Sequence, residues 1–112
     1  MPGRTESPRE AAAPMSRDDE ADMMPARQYL VSGKVQGVGF RYYVRERATT
    51  AGLTGWVRNL PDGRVEAHVE GPPAALDRFT ETLREGPPAA RVSRVSTRPT
   101  QPVGHRGFRI TD

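Results

Sequence analysis

From Gln28 onward apolar and polar residues alternate with a period of two. Tyr29, Val31, Gly33 and Val35 lie on one side and Leu30, Ser32 and Lys34 on the other, the pattern of a strand with one better buried face. Phe40, Tyr43, Val44, Arg47, Ala48 and Ala51 then recur near helical spacing, and Gly52 supplies a natural C-terminal stop. A second strand is predicted over Leu53 to Asn59. It reverses through Leu60-Pro61-Asp62-Gly63, where the Asp-Gly pair is a strong turn signal. The third strand, Arg64 to Glu70, sends Val65, Ala67 and Val69 one way and Arg64, Glu66, His68 and Glu70 the other. Gly71-Pro72-Pro73 breaks it and starts a helix that runs to about Arg84, with Leu76, Phe79, Thr80 and Leu83 as its inner stripe. Glu85-Gly86-Pro87-Pro88 ends that helix. Val92 and Val95 lie three apart rather than two, so a bulge or a change of element is expected within Ala90 to Arg98, at a sheet edge. Phe108 and Ile110 restore the period of two in a short last strand.

In order these elements read β-α-β-β-α-β, with both helices able to cover one sheet face. That is an α+β chain, a ferredoxin-like α/β sandwich with an antiparallel sheet covered on one face by two helices. In this topology the first and second strands run parallel and flank the third, about 10 Å apart. Their C-terminal ends meet at one edge, where the Gln36 to Phe40 turn and Asn59 face a shared pocket. This domain is expected to occupy residues 28–112. Residues 1–27 carry Pro2, Pro8, Pro14 and Pro25, the run Asp18-Asp19-Glu20, and only methionines as large apolar groups. They lack a burying pattern and are expected to form a disordered N-terminal extension.

A chain of 112 residues allows one small domain. It contains no cysteine, which excludes a disulfide framework, a thiol nucleophile and a cysteine-ligated metal, and fits a reducing compartment. No stretch approaches the roughly 18 apolar residues of a membrane span, and the N-terminus lacks the apolar core of a secretion signal. A monomeric, cytoplasmic protein with no membrane partner is the expectation. Residues 1–27 hold six acids and four bases, net −2, whereas residues 28–112 hold eight acids and thirteen bases, net +5. A basic domain attracts nucleic acid or steers a small phosphorylated substrate, and the sign alone does not choose between them.

Gly33-Lys34-Val35-Gln36-Gly37-Val38-Gly39-Phe40-Arg41 narrows the choice. The strand ends in a turn whose two glycines let backbone N–H groups converge on one point, as such nests do for phosphate. Arg41 falls in the first turn of the following helix, whose free N–H groups already favour an anion. A guanidinium there is a poor match for the helix dipole, which suggests a strongly negative ligand. Val35, Val38 and Phe40 read as packing groups, and Gln36 as a contributor through its backbone.

The remaining polar residues carry less. Arg58 precedes Asn59 in a strand and faces away from it, and Trp56 reads as scaffold. His68 lies on the outward register among charged neighbours, and His105 sits in the Gly104-His105-Arg106-Gly107 turn, so no metal spacing is visible. The open sheet face lacks the aromatic stripe of an RNA-recognition module and carries Glu66 and Glu70, which argues against a nucleic-acid partner.

The nine residues Gly33 to Arg41, with Gly55-Trp56-Val57-Arg58-Asn59 and Asp62-Gly63 at the matching distance, resemble the acylphosphatase family over about residues 28–111. Lys34 stands where many members carry arginine. The resemblance implies a ferredoxin-like fold and hydrolysis of a small-molecule acyl phosphate to a carboxylate and inorganic phosphate, with no metal and no cofactor. It also implies that Arg41 and the backbone amides of Gln36, Gly37, Val38, Gly39 and Phe40 hold the phosphate while Asn59 orients the attacking water. The alternative is a non-catalytic phosphate- or nucleic-acid-binding ferredoxin-like domain.

Overall fold

Five strands and two helices follow one another along residues 24–111, the part of the chain that the computed structural model describes. Strand β1 spans Ala26–Lys34, helix α1 Phe40–Thr50, β2 Thr54–Asn59 and β3 Val65–Glu70. Helix α2 spans Pro73–Glu85, β4 Arg91–Thr100 and β5 Phe108–Ile110. All strands join one sheet in the order β4-β1-β3-β2-β5. The β-α-β-β-α-β core matches the sequence pattern, with β4 as the edge strand antiparallel to β1.

The short β5 is an addition to that core. It pairs parallel with β2, so the sheet is mixed rather than wholly antiparallel. The reason is the free edge of β2, whose backbone groups need partners. Gly55 N–H donates to the Gly107 carbonyl at 3.0 Å, and Thr111 N–H donates to the Val57 carbonyl at 2.8 Å.

The three-residue spacing of Val92 and Val95 is explained by a bulge. Ser32 pairs with Arg94 but Gly33 pairs with Val92, so Ser93 is the extra residue. Gly33 sits there at φ 122°, and a Cβ would lie 2.1 Å from the Arg91 carbonyl oxygen. Only glycine fits that approach.

Both helices cover the same sheet face. Tyr29, Val31, Val57, Val65, Ala67 and Val69 from the sheet meet Phe40, Val44 and Ala48 of α1 and Leu76, Phe79 and Leu83 of α2. Pro72 and Pro73 start α2 as predicted, since neither ring removes an N–H that the helix needs. The Tyr29 hydroxyl is fully buried, and it is satisfied by Thr80 Oγ1 at 2.8 Å. Thr80 in turn donates to the Leu76 carbonyl at 2.9 Å. Among the described residues no helix is long and apolar enough to cross a membrane.

The sheet begins two residues before the expected boundary at Gln28. Ala26 is buried and pairs with Glu70 and Thr100, Arg27 donates to Asp77 Oδ1 at 2.9 Å, and the Pro25 carbonyl accepts from Gly71 N–H at 3.0 Å. The rest of the expected extension, residues 1–23, lies outside the described residues. A chain starting at Gln28 loses this strand end and should melt several degrees below one starting at Met24, about 1–2 kcal/mol. Equal melting temperatures would show that the first rungs of β1 contribute nothing.

Candidate functional site

Between β1 and α1 the chain turns through residues 35–39. Val35 and Phe40 are buried on either side and Val38 packs partly against the core, which pins the flanks of the turn. Gly37 and Gly39 stay exposed at φ 73° and 80°. A Cβ at either would meet nothing within 4 Å, so glycine is required by the left-handed backbone and the face above it is open. Gly39 is the N-cap of α1, with no side-chain cap and no acid in the first turn. The orphan N–H groups of that turn are therefore available to an anion. Arg41, the second residue of α1, is half-buried, and none of the ion pairs among the described residues involves it.

Asn59 ends β2 on the helix-covered face, in register with the buried Gly55 and Val57. Its placement follows from one residue: Val65 of β3 is the partner of both Asn59 on one side and Val31 on the other. Two strand spacings, about 10 Å, therefore separate Asn59 from Val31, four residues before the turn begins at Val35. Asn59 Oδ1 is buried, with no hydrogen-bond partner among the described residues. An acceptor left in that state is costly unless a ligand or water meets it. Arg58 points to the other face, where it pairs with Glu66 at 2.7 Å and lies 5.4 Å over the Trp56 ring.

Gln36 does more than the sequence suggested. Its carboxamide Nε2 donates to the Leu60 carbonyl at 2.7 Å and to the Arg64 carbonyl at 2.9 Å, so the side chain ties the glycine turn to the turn that follows Asn59. That second turn is closed by Leu60 N–H to the Arg64 carbonyl at 2.8 Å. Asp62 adds a staple, accepting from Arg64 N–H at 3.1 Å and from its Nε at 2.8 Å. The Arg64 amide, helped by the guanidinium, holds the Asp62 carboxyl below the usual range. No signal in the chain marked Gln36 as a tether, because its acceptors become neighbours only when β1 and β2 flank β3.

His68 lies on the outward register of β3, opposite Trp56. It does face the open side, yet it is buried, because the segment from Gln101 to Gly107 crosses the end of β3 on its way from β4 to β5. Glu70 is buried with it and accepts from Val103 N–H at 2.6 Å and Gly104 N–H at 3.0 Å. Burial alone would raise the Glu70 carboxyl, but the bonds from His68 and the two amides outweigh it and hold the group below its usual range. His105 comes against His68, so the two histidines that are separate in the sequence meet in the fold. This cluster, at the far end of β3 from Asn59, is the metal-capable group among the described residues.

A sequence model described as "Acylphosphatase" matches residues 27–110. An acylphosphatase of Acaryochloris marina is 52% identical over 81 residues, 72% of this chain and 87% of that protein. One from a Nocardioides species is 46% identical over 92 residues, 82% and 93% of the two chains. Among solved structures, acylphosphatase from Bacillus subtilis superposes with a TM-score of 0.77 at 42% identity, covering 80% of this chain and all of that one.

The Gln36 tether has a measurable weight. Each of its carbonyl acceptors keeps one backbone donor, so Gln36→Leu should cost only about 1 kcal/mol in urea unfolding. Gln36→Glu should cost more, since a carboxylate would face two carbonyl oxygens without a proton to offer. A Gln36→Glu chain as stable as the wild type would remove the tether.

Proposed function

The chain belongs to the acylphosphatase family and hydrolyses acyl phosphates, and we propose that Arg41, Asn59 and the glycine turn are the groups that carry the reaction. Arg41 and the amides of Gln36 to Phe40 hold the phosphoryl oxygens, and Asn59 orients the attacking water. The observation that carries the reading is the buried, unpartnered Asn59 Oδ1 at the end of β2, where Gln36 ties the glycine turn to the next residue, Leu60, at 2.7 Å. That oxygen accepts a hydrogen bond from the water and aims the water lone pair at phosphorus.

The chemistry fits what these groups offer. Water oxygen forms a bond to phosphorus while the bond from phosphorus to the acyl oxygen breaks, and the carboxylate leaves with the electron pair. The water proton passes to a phosphoryl oxygen. A carboxylate is a weakly basic leaving group, so little or no general acid is needed, and the remaining work is positioning and charge stabilisation. A guanidinium fork and backbone amides supply both.

The reading extends to a cytoplasmic monomer acting on a small-molecule acyl phosphate without metal, cofactor, nucleic acid or membrane. The main support against a nucleic-acid partner is the Gln101 to Gly107 segment, which bonds to Glu70 and covers part of the open face that a nucleic acid would use.

Arg41→Ala should abolish most turnover and weaken competitive inhibition by inorganic phosphate. Asn59→Ala should lower kcat about a hundredfold, near 3 kcal/mol, while phosphate inhibition persists. Thermal melts check that both variants remain folded. A folded Asn59→Ala enzyme with wild-type turnover would sink the water-positioning role, and the same result for Arg41→Ala would favour the non-catalytic binding domain.

Chelation offers a separate check. Turnover of an acyl phosphate should survive exhaustive dialysis against chelator, and a stable phosphate monoester should hardly react. Activity lost to the chelator and restored by a divalent ion would contradict the mechanism.

A further inference from the structure

The chain's two histidines meet beside a buried carboxylate on the open face of the sheet. His68 Nε2 lies 2.6 Å from Glu70 Oε2, and the His68 and His105 ring centroids are 5.2 Å apart. One ligand-capable atom from each of the three residues lies within 4.8 Å of the other two. We propose that His68, Glu70 and His105 bind a divalent cation of the zinc type.

Two imidazoles and a carboxylate are a donor set that zinc accepts. Bonds of about 2.0–2.2 Å at tetrahedral angles put ligand atoms roughly 3.3 Å apart. The separations here run from 2.6 Å for the hydrogen-bonded pair to at most 4.8 Å, so they bracket that value. Small side-chain rotations would complete the geometry, and His105 is free to make one because it lies half-exposed in a loop.

The surroundings orient the ligands before any ion arrives. Val103 and Gly104 amides hold the Glu70 carboxylate, and Trp56 stacks on the His68 ring at 6.0 Å between centroids and 13° between planes. Such outer contacts fix ligand direction in metal sites. A cavity of about 510 Å³ lined by Glu70, His105, Met24 and Thr54 opens beside two of the three ligands.

The site is not catalytic. Glu70 pairs with Thr54 and Val65 with Asn59, so Glu70 lies at the other end of β3, about 17 Å along the strand from Val65. An ion there would clamp β3 to the segment that leads into β5.

With no cysteine and no further histidine in the chain, imidazole-based binding can be assigned to this site, provided that the protein carries no histidine tag. Calorimetry with Zn²⁺ should give one ion per chain. Co²⁺ should give the intense visible bands of a tetrahedral complex. His105→Ala and His105→Gln should each weaken Zn²⁺ binding at least about tenfold while leaving the metal-free melting temperature and turnover unchanged. Saturating Zn²⁺ should raise the wild-type melting temperature by about 5 °C or more, and neither variant should show that rise. A wild-type chain that binds no Zn²⁺, or that binds it no better than both His105 variants, would overturn the proposal.

Discussion

Strand β3 lies between β1 and β2, and Val65 on it is in register with both Val31 and Asn59. Everything at the candidate site is measured from that double pairing. It brings two parallel strands, remote in sequence, to a common edge about 10 Å apart. The chain leaves β1 through the glycine turn and leaves β2 through the Leu60 to Arg64 turn, so two loops meet there. A slip of one residue would turn Asn59 to the open face, because side chains alternate along a strand. The buried Val57, Val65, Ala67 and Val69 resist that slip by needing the helix-covered face.

The same packing stiffens the parts that must not move. Val35 and Phe40 sink into the core on either side of the glycine turn, and Val44 and Ala48 carry the rest of α1 onto the sheet. The turn is thus anchored by apolar side chains, while Gly37 and Gly39 between them stay exposed. Preorganised donors of this sort need no reordering when charge develops on a phosphoryl group. Gln36 extends the stiffness across the gap by bonding to the backbone on the far side of the site.

At the other end of β3 a different problem is solved. The sheet has one face without helices, and the connection from β4 to β5 must cross it. Glu70 holds that connection through the amides of Val103 and Gly104, and the pair formed with His68 keeps the carboxylate from being buried without partners. The two ends of β3 therefore separate the candidate site from a cluster rich in acceptor atoms. Their roles do not compete for the same residues.

Much of this was legible in the residues themselves. Alternation at Tyr29, Val31 and Val35, helical spacing at Phe40 and Val44, the Pro72-Pro73 start and the Asp62-Gly63 turn are local signals, each set by backbone sterics or by which face must be buried. Gly37, Gly39, Arg41 and Asn59 stood out because their pattern resembles a known family. What the chain alone did not display depends on contacts between distant segments. The parallel β5 answers a free strand edge, Gln36 answers two carbonyls of another turn, and His68 is buried by residues far downstream. Local sequence determined the elements and the left-handed backbone of the glycine turn. Only the tertiary structure decided which polar groups face each other, because hydrogen-bond partners are set by register and crossing segments rather than by periodicity.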